Sequence, residues 1–106
     1  MLKKVRRRYL ALKIDSEETF GSRDFMGAVW DAVSRLYGEY GASQTGLALI
    51  DYDAEKKFAI IRTVHTTVDK VRAALASITR IGDKPVAIHV LKISGTIKAL
   101  YKKIKQ

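Results

Sequence analysis

Residues 46–64 read Gly46-Leu47-Ala48-Leu49-Ile50-Asp51-Tyr52-Asp53-Ala54-Glu55-Lys56-Lys57-Phe58-Ala59-Ile60-Ile61-Arg62-Thr63-Val64. Two runs rich in β-branched and aromatic side chains, Gly46 to Asp53 and Lys57 to Val64, flank the polar joint Asp53-Ala54-Glu55-Lys56. Such residues suit a pleated surface, and so short a joint returns the second run antiparallel to the first. The middle of the chain is therefore expected to be a β-hairpin. What lies on each side of it decides the fold.

Upstream, Arg6-Arg7-Arg8-Tyr9-Leu10-Ala11-Leu12-Lys13-Ile14 alternates: Leu10, Leu12 and Ile14 share one face, Tyr9, Ala11 and Lys13 the other. That predicts a first strand with one wetter side. Between it and the hairpin, Phe25, Met26, Val29, Trp30, Val33, Leu36, Tyr37 and Tyr40 recur at helical steps. Ser22 is expected to cap this helix and Gly41 to stop it, with Gly38 a candidate for an earlier end. Downstream, Thr66 or Thr67 should cap a second helix carrying Val68, Val71, Ala74, Leu75 and Ile78, with Asp69 in its first turn and Arg80 near its end. Gly82-Asp83-Lys84-Pro85 breaks the chain, and Val86 to Ile93 reads as a fourth strand. Thr96 opens a short terminal helix with Ile97, Leu100, Tyr101 and Ile104 on one side. The order strand–helix–strand–strand–helix–strand plus a tail helix predicts an α+β fold. It is the ferredoxin-like, RNA-recognition-like βαββαβ two-layer sandwich: a four-stranded antiparallel sheet with an extra C-terminal helix. Many activities share this plan, so it assigns none.

At 106 residues the chain is expected to form a single domain over 1–106. Without Cys, it has no thiolate metal site, disulfide or cysteine nucleophile. The apolar runs are four to six residues long. A spanning helix needs roughly 20, and no signal-peptide core follows the basic start, so a soluble, cytoplasmic protein is expected. Absent Asn and Cys, two Met, one Pro and 29% charged residues point toward a high-temperature source.

The net charge of +9 is unevenly placed. Residues 1–13 hold six bases (Lys3, Lys4, Arg6, Arg7, Arg8, Lys13) and residues 92–106 hold five (Lys92, Lys98, Lys102, Lys103, Lys105), with no acid in either. Residues 14–91 carry nine bases against 11 acids. A near-neutral body with two basic ends points to a polyanion, because counterions released by clustered cations reward contact with phosphates. The plainer alternative is that charged ends keep a small protein soluble.

Catalytic constellations are lacking. Ser94 has no nucleophile elbow around it. His65 and His89 are 24 residues apart without an evident carboxylate partner. His89 is expected to be packed at the edge of the core and His65 to lie at the surface or cap a helix. Asp51 and Asp53 suggest turn and strand-end polarity more than a Mg²⁺ pair. A small acyl-phosphate hydrolase of this fold would need an Asn, which the chain does not contain.

A reader of single-stranded RNA with this topology would expose aromatics on its first and third strands. Tyr9 is available on the first, while Phe58 in Lys57-Phe58-Ala59-Ile60-Ile61-Arg62-Thr63 is as apt for core as for surface. Backbone recognition by Lys and Arg suits this composition better than base readout. In Ser94-Gly95-Thr96-Ile97-Lys98-Ala99-Leu100-Tyr101-Lys102-Lys103-Ile104-Lys105, Gly95 allows a sharp turn, Thr96 can cap, and Lys98 follows free helix N–H groups. The apolar side of that helix would dock on the sheet and its Lys side would face RNA.

Several segments together resemble the archaeal ribonuclease P protein component 2 family, related to a small subunit of eukaryotic ribonuclease P. They are Arg7-Arg8-Tyr9-Leu10-Ala11, Ile60-Ile61-Arg62 with His65, Val71-Arg72-Ala73-Ala74-Leu75, and Val90-Leu91-Lys92-Ile93-Ser94-Gly95-Thr96-Ile97. The resemblance implies a non-catalytic subunit of the ribonucleoprotein endonuclease that removes 5′ leaders from precursor tRNA. The RNA subunit, with its Mg²⁺, would perform the hydrolysis, and this chain would bind no cofactor. The implied partners are ribonuclease P RNA, precursor tRNA indirectly, protein component 3 in a heterodimer that pairs to a heterotetramer, and other ribonuclease P proteins, with no membrane. The RNA-binding residues expected on these grounds are Lys3, Lys4, Arg6, Arg7, Arg8, Tyr9, Lys13, Lys92, Ser94, Gly95, Thr96, Lys98, Lys102, Lys103 and Lys105. Trp30, Tyr37 and Tyr40 are candidates for the partner-protein surface, with Trp30 more apt for the core. The rival classes are a ferredoxin-like regulatory, small-ligand-binding or dimerisation module without RNA, and a free-standing RNA-binding protein.

Overall fold

The computed structural model describes residues 6–104. Its elements are β1 (Arg7–Asp15), α1 (Ser22–Ser43), β2 (Ala48–Asp53), β3 (Phe58–Val64), a 3₁₀ turn (His65–Thr67), α2 (Val68–Ser77), β4 (Arg80–Ile81), β5 (Lys84–Pro85), β6 (Ala87–Ser94) and α3 (Ile97–Ile104). Four strands form one antiparallel sheet in the order β2-β3-β1-β6, as the expected plan requires. The hairpin closes as its composition suggests. The Asp53 carboxylate accepts the Lys56 N–H at 3.0 Å, and Lys57 takes a positive φ of 55° to start the return strand.

Alternation divides the sheet into two faces. Leu10, Leu12, Ile14, Ala59, Ile61 and Ile88 meet Phe25, Val29 and Val33 of α1 and Val71, Ala74 and Leu75 of α2 in the main core. On the opposite face Ala11 and Ile60 pack under Leu100 of α3, with Tyr9, Phe58, Ile97 and Ile104 around them. The tail helix thus docks by its apolar side, and it does so on the face that α1 and α2 leave open. Phe58 belongs to this second, smaller cluster.

Two bulges interrupt the pairing. Leu12 opposes Val90 while Ala11 opposes Lys92, which leaves Leu91 as the extra residue; Ile50 is the extra residue of β2. Both are pushed outward and exposed, although each sits in an apolar run. The Ile50 bulge also puts Asp51 and Asp53 on the face opposite to Leu49, because Leu49 opposes Ile61 while Asp51 opposes Ile60 and Asp53 opposes Phe58.

The helix ends differ from expectation. Gly21, not Ser22, occupies the cap position of α1, and no side chain caps it. Thr67 precedes α2, but its hydroxyl donates to the Val64 carbonyl and meets Thr63, so it seals the 3₁₀ turn instead of capping. Arg80 lies beyond the end of α2, in the two-stranded ribbon β4–β5 that turns at Gly82 (φ 66°). Gly38 breaks α1, with φ 77° and ψ 168°, a region open to glycine alone. The chain after it leaves the helical line, so Tyr40 departs from the apolar stripe and is 79% exposed.

Tyr52 ties α1 to the sheet: its ring lies 5.3 Å from that of Phe25 and its hydroxyl donates to the Phe20 carbonyl at 2.6 Å. Burial first, and the charge of Asp24 second, push this phenol above its ordinary 10.0. A folded-state value above the unfolded one means the unfolded chain loses its proton first. The stabilisation is therefore complete below pH 10.0 and is lost as pH rises through the raised value. Denaturant midpoints of the wild type should fall above that pH, and Tyr52→Phe should show a shallower fall.

Candidate nucleic-acid interface

The leading end of β1, the trailing ends of β3 and β6 and the start of α3 converge at one edge of the sheet. Arg7 opposes Val64, Arg8 opposes Thr63 and Tyr9 opposes Ser94. The Arg8 guanidinium donates to the Arg7 carbonyl at 3.1 Å, and its Nη1 stands 3.5 Å from where a side chain on Gly95 would begin. A Cβ at 95 would rest in ordinary van der Waals contact with that arginine. The start of β1 and the turn into α3, one from each basic end of the sequence, thus lie side by side. His65 joins them, because its main-chain N–H donates to the Arg6 carbonyl at 2.9 Å and its ring Nδ1 lies 3.2 Å from the same oxygen.

The turn into α3 is built as expected. The Thr96 hydroxyl accepts the Ala99 N–H at 3.1 Å, which caps the helix, and the Thr96 N–H donates to the Ser94 hydroxyl at 3.5 Å. Ser94 itself is buried, so it shapes the turn from within and does not face solvent. Lys98 and Lys102 are exposed, and on the helix they project away from the docked Ile97, Leu100 and Ile104. Lys103 is exposed too, yet its ammonium donates to the Ile93 carbonyl at 3.0 Å and fastens α3 to β6. Tyr101 fastens the other flank, donating to Asp51 Oδ2 on β2 at 3.1 Å.

Lys92 and Lys13 are exposed on the same face as α3, but farther along the sheet. Six residues of extended chain separate Arg7 from Lys13, about 20 Å. Tyr9 is half-buried beside α3. Lys3, Lys4 and Lys105 lie outside the described residues. Among the described residues none of Arg6, Arg7, Arg8, Lys92, Lys98 and Lys102 forms an ion pair.

His89 departs from expectation. It is exposed, not packed, and its Nε2 lies 3.8 Å from Asp15. The bulge at Leu91 shifts the register so that His89 faces outward opposite Lys13. Asp51 and Asp53 accept N–H and O–H groups of the turn, strand and α3. Among the described residues no cluster of three or more His, Asp or Glu side chains is placed to hold a metal, and no helix is long and apolar enough to cross a membrane.

On α1, Trp30 is 38% and Leu36 48% exposed. The placement of Trp30 in the core is therefore corrected: only Phe25, Val29, Ala32, Val33 and Ala42 of this helix are buried. Tyr37 is half-buried, with the Lys70 ammonium 5.4 Å from its ring centre. Arg62 was not among the expected site residues. It shares a face with Tyr9, its cross-strand partner, and its buried Nε has no hydrogen-bond partner among the described residues. The period-two run Phe58, Ile60, Arg62 already places it there.

A family model described as the Rpp14/Pop5 family matches residues 8–105. The chain belongs to the Rpp14/Pop5 family. Ribonuclease P protein component 2 of Methanosarcina acetivorans is 38% identical over 95 residues, covering 90% of this chain and 70% of that protein. Ribonuclease P protein component 2 of Pyrococcus abyssi is 35% identical over 96 residues, covering 91% and 81%. A chain in the cryo-EM structure of yeast ribonuclease MRP superposes with a TM-score of 0.73 at 16% identity, covering 99% of this chain and 92% of that one. At that identity the likeness concerns the fold alone. The family match begins at Arg8, so it takes in the Arg8–Gly95 junction but not Arg6 and Arg7.

Proposed function

We propose that this chain is a non-catalytic protein subunit of ribonuclease P, which removes 5′ leaders from precursor tRNA, and that it binds and stabilises the catalytic RNA. One observation supports this most directly: Arg8 from one basic end of the sequence stands against Gly95 and the start of α3 from the other, and among the described residues Arg6, Arg7, Arg8, Lys98 and Lys102 form no ion pair. Arg6, Arg7 and Arg8 face phosphates from β1, and Lys98 and Lys102 face them from α3. Lys13 and Lys92 extend the contact along the sheet. Hydrolysis belongs to the RNA and its Mg²⁺. Cations held where RNA strands converge offset phosphate repulsion, so less Mg²⁺ is needed to fold the RNA. Protein component 3 docks along α1, where Trp30 and Leu36 emerge before the Gly38 break and Tyr40 beyond it.

Reconstitution tests the proposal. Cleavage of precursor tRNA by the RNA subunit with component 3 is followed across a Mg²⁺ series, with and without this chain. The expected outcome is a shift of the half-maximal Mg²⁺ to lower concentration when the chain is present. Identical curves would remove the proposed role.

A further inference from the structure

The sheet face under α3 has features that docking a tail helix does not explain. Tyr9 and Phe58 stand on the two central strands, β1 and β3, and their rings are half-buried rather than sealed. Arg62 stands beside Tyr9 with a buried Nε that has no acceptor among the described residues. A guanidinium cannot shed its proton, and a buried donor without an acceptor is costly, so this atom is satisfied only when an acceptor or water reaches it. The cover is lightly built. α3 has eight residues, too few to be stable alone, and it contributes Ile97, Leu100 and Ile104 to a cluster separate from the main core. Two hydrogen bonds hold its flanks, Tyr101 to Asp51 and Lys103 to Ile93. Lifting α3 would leave the packing between α1, α2 and the sheet intact.

We propose that this covered face is a second nucleic-acid site, which takes one or two unpaired nucleotides of RNA when α3 lifts from the sheet. Bases stack on Tyr9 and Phe58, aromatic faces that tolerate any base, and Arg62 donates its free Nε–H to a phosphate or base oxygen. The lysines of α3 remain beside the strand and follow its backbone. The inference rests on the RNA-binding role proposed above and adds the kind of RNA, unpaired rather than helical.

Hydrogen exchange of the full chain with a single-stranded oligouridylate about ten nucleotides long tests it. Bound oligonucleotide should speed exchange of the amides in residues 97–104 several-fold while those of α1 and α2 stay protected. Tyr101→Phe, which removes a latch and keeps the ring, should tighten oligouridylate binding about two- to fivefold. Tyr9→Leu with Phe58→Leu, which keeps apolar filling under α3, should weaken it about tenfold. If the double variant does not fold, Tyr101→Phe and the exchange data decide. Unchanged or slower exchange in 97–104, unaltered affinity in Tyr101→Phe, or no oligouridylate binding would each overturn the inference. If the catalytic RNA still binds through the arginine edge in those cases, only this inference falls; if it does not, the RNA-binding role falls with it.

Discussion

Replacing Arg6, Arg7 and Arg8 together with serine is expected to weaken binding to the catalytic RNA about 10- to 100-fold near physiological salt. The slope of log affinity against log salt should fall by about 2 to 3, close to one unit per lost phosphate contact. Fold disruption would not account for such a result. Arg6 and Arg7 are exposed and Arg8 is half-buried at the rim, and their share of β1 is held by main-chain pairing to Val64 and Thr63. Serine keeps that pairing. Replacing Lys98 and Lys102 with alanine should act in the same direction with a smaller slope change, since only two charges leave. The informative control is Arg72→Ala. Arg72 is exposed on α2, which packs against the opposite face of the sheet. If it weakened RNA binding as much per charge as the arginines of β1, net charge alone would be acting and the sheet edge would have no special role. Wild-type affinity in the triple variant at every salt concentration would contradict the proposed surface.

Much of this geometry is readable from residue spacing, and where the reading fails the reasons are local. Alternation in β1 separates Leu10, Leu12 and Ile14 from Tyr9, Ala11 and Lys13 correctly, because a strand has period two and one face must be buried. A bulge adds one residue and resets that period, and nothing in Val90-Leu91-Lys92 or Leu49-Ile50-Asp51 announces it. Hence His89 and Asp51 fall on faces that simple alternation does not assign. The stripe on α1 fails in another way. Trp30, Leu36 and Tyr40 obey helical spacing, but a stripe that wide exceeds what one sheet face can cover, and Gly38 turns the last residues away.

The terminal helix shows what amphipathic patterning can and cannot reveal. Ile97, Leu100 and Ile104 demand an apolar partner, and Thr96 caps as its position suggests. Which sheet face they cover is a matter of tertiary geometry. β6 ends at the arginine edge, and the short turn at Gly95 sends the chain back over the face that α1 and α2 do not occupy. That same turn brings Arg8 against Gly95, joining two basic segments that the sequence separates by most of its length.

Because the protein has two apolar clusters on opposite faces of one sheet, equally buried side chains should have unequal effects on stability. Phe25 is 0% exposed in the main core, where α1, the sheet and Tyr52 meet. Phe25→Ala removes a whole ring from a site bounded by three elements that cannot all close in. About 3–5 kcal/mol should be lost. Against a typical total of about 5–15 kcal/mol, that brings the folded state near its limit and lowers Tm by roughly 15 °C or more. Leu100 is also 0% exposed, but among the described residues its buried cluster holds only Ala11 and Ile60 besides it. In Leu100→Ala the helix can detach while the main core stays closed, so the global transition should drop by clearly less than it does for Phe25→Ala. Paired thermal and urea unfolding of the two variants measures the difference. Equal losses would mean that α3 unfolds together with the core, and a cover so tightly coupled could not lift from Tyr9, Phe58 and Arg62 in the folded protein.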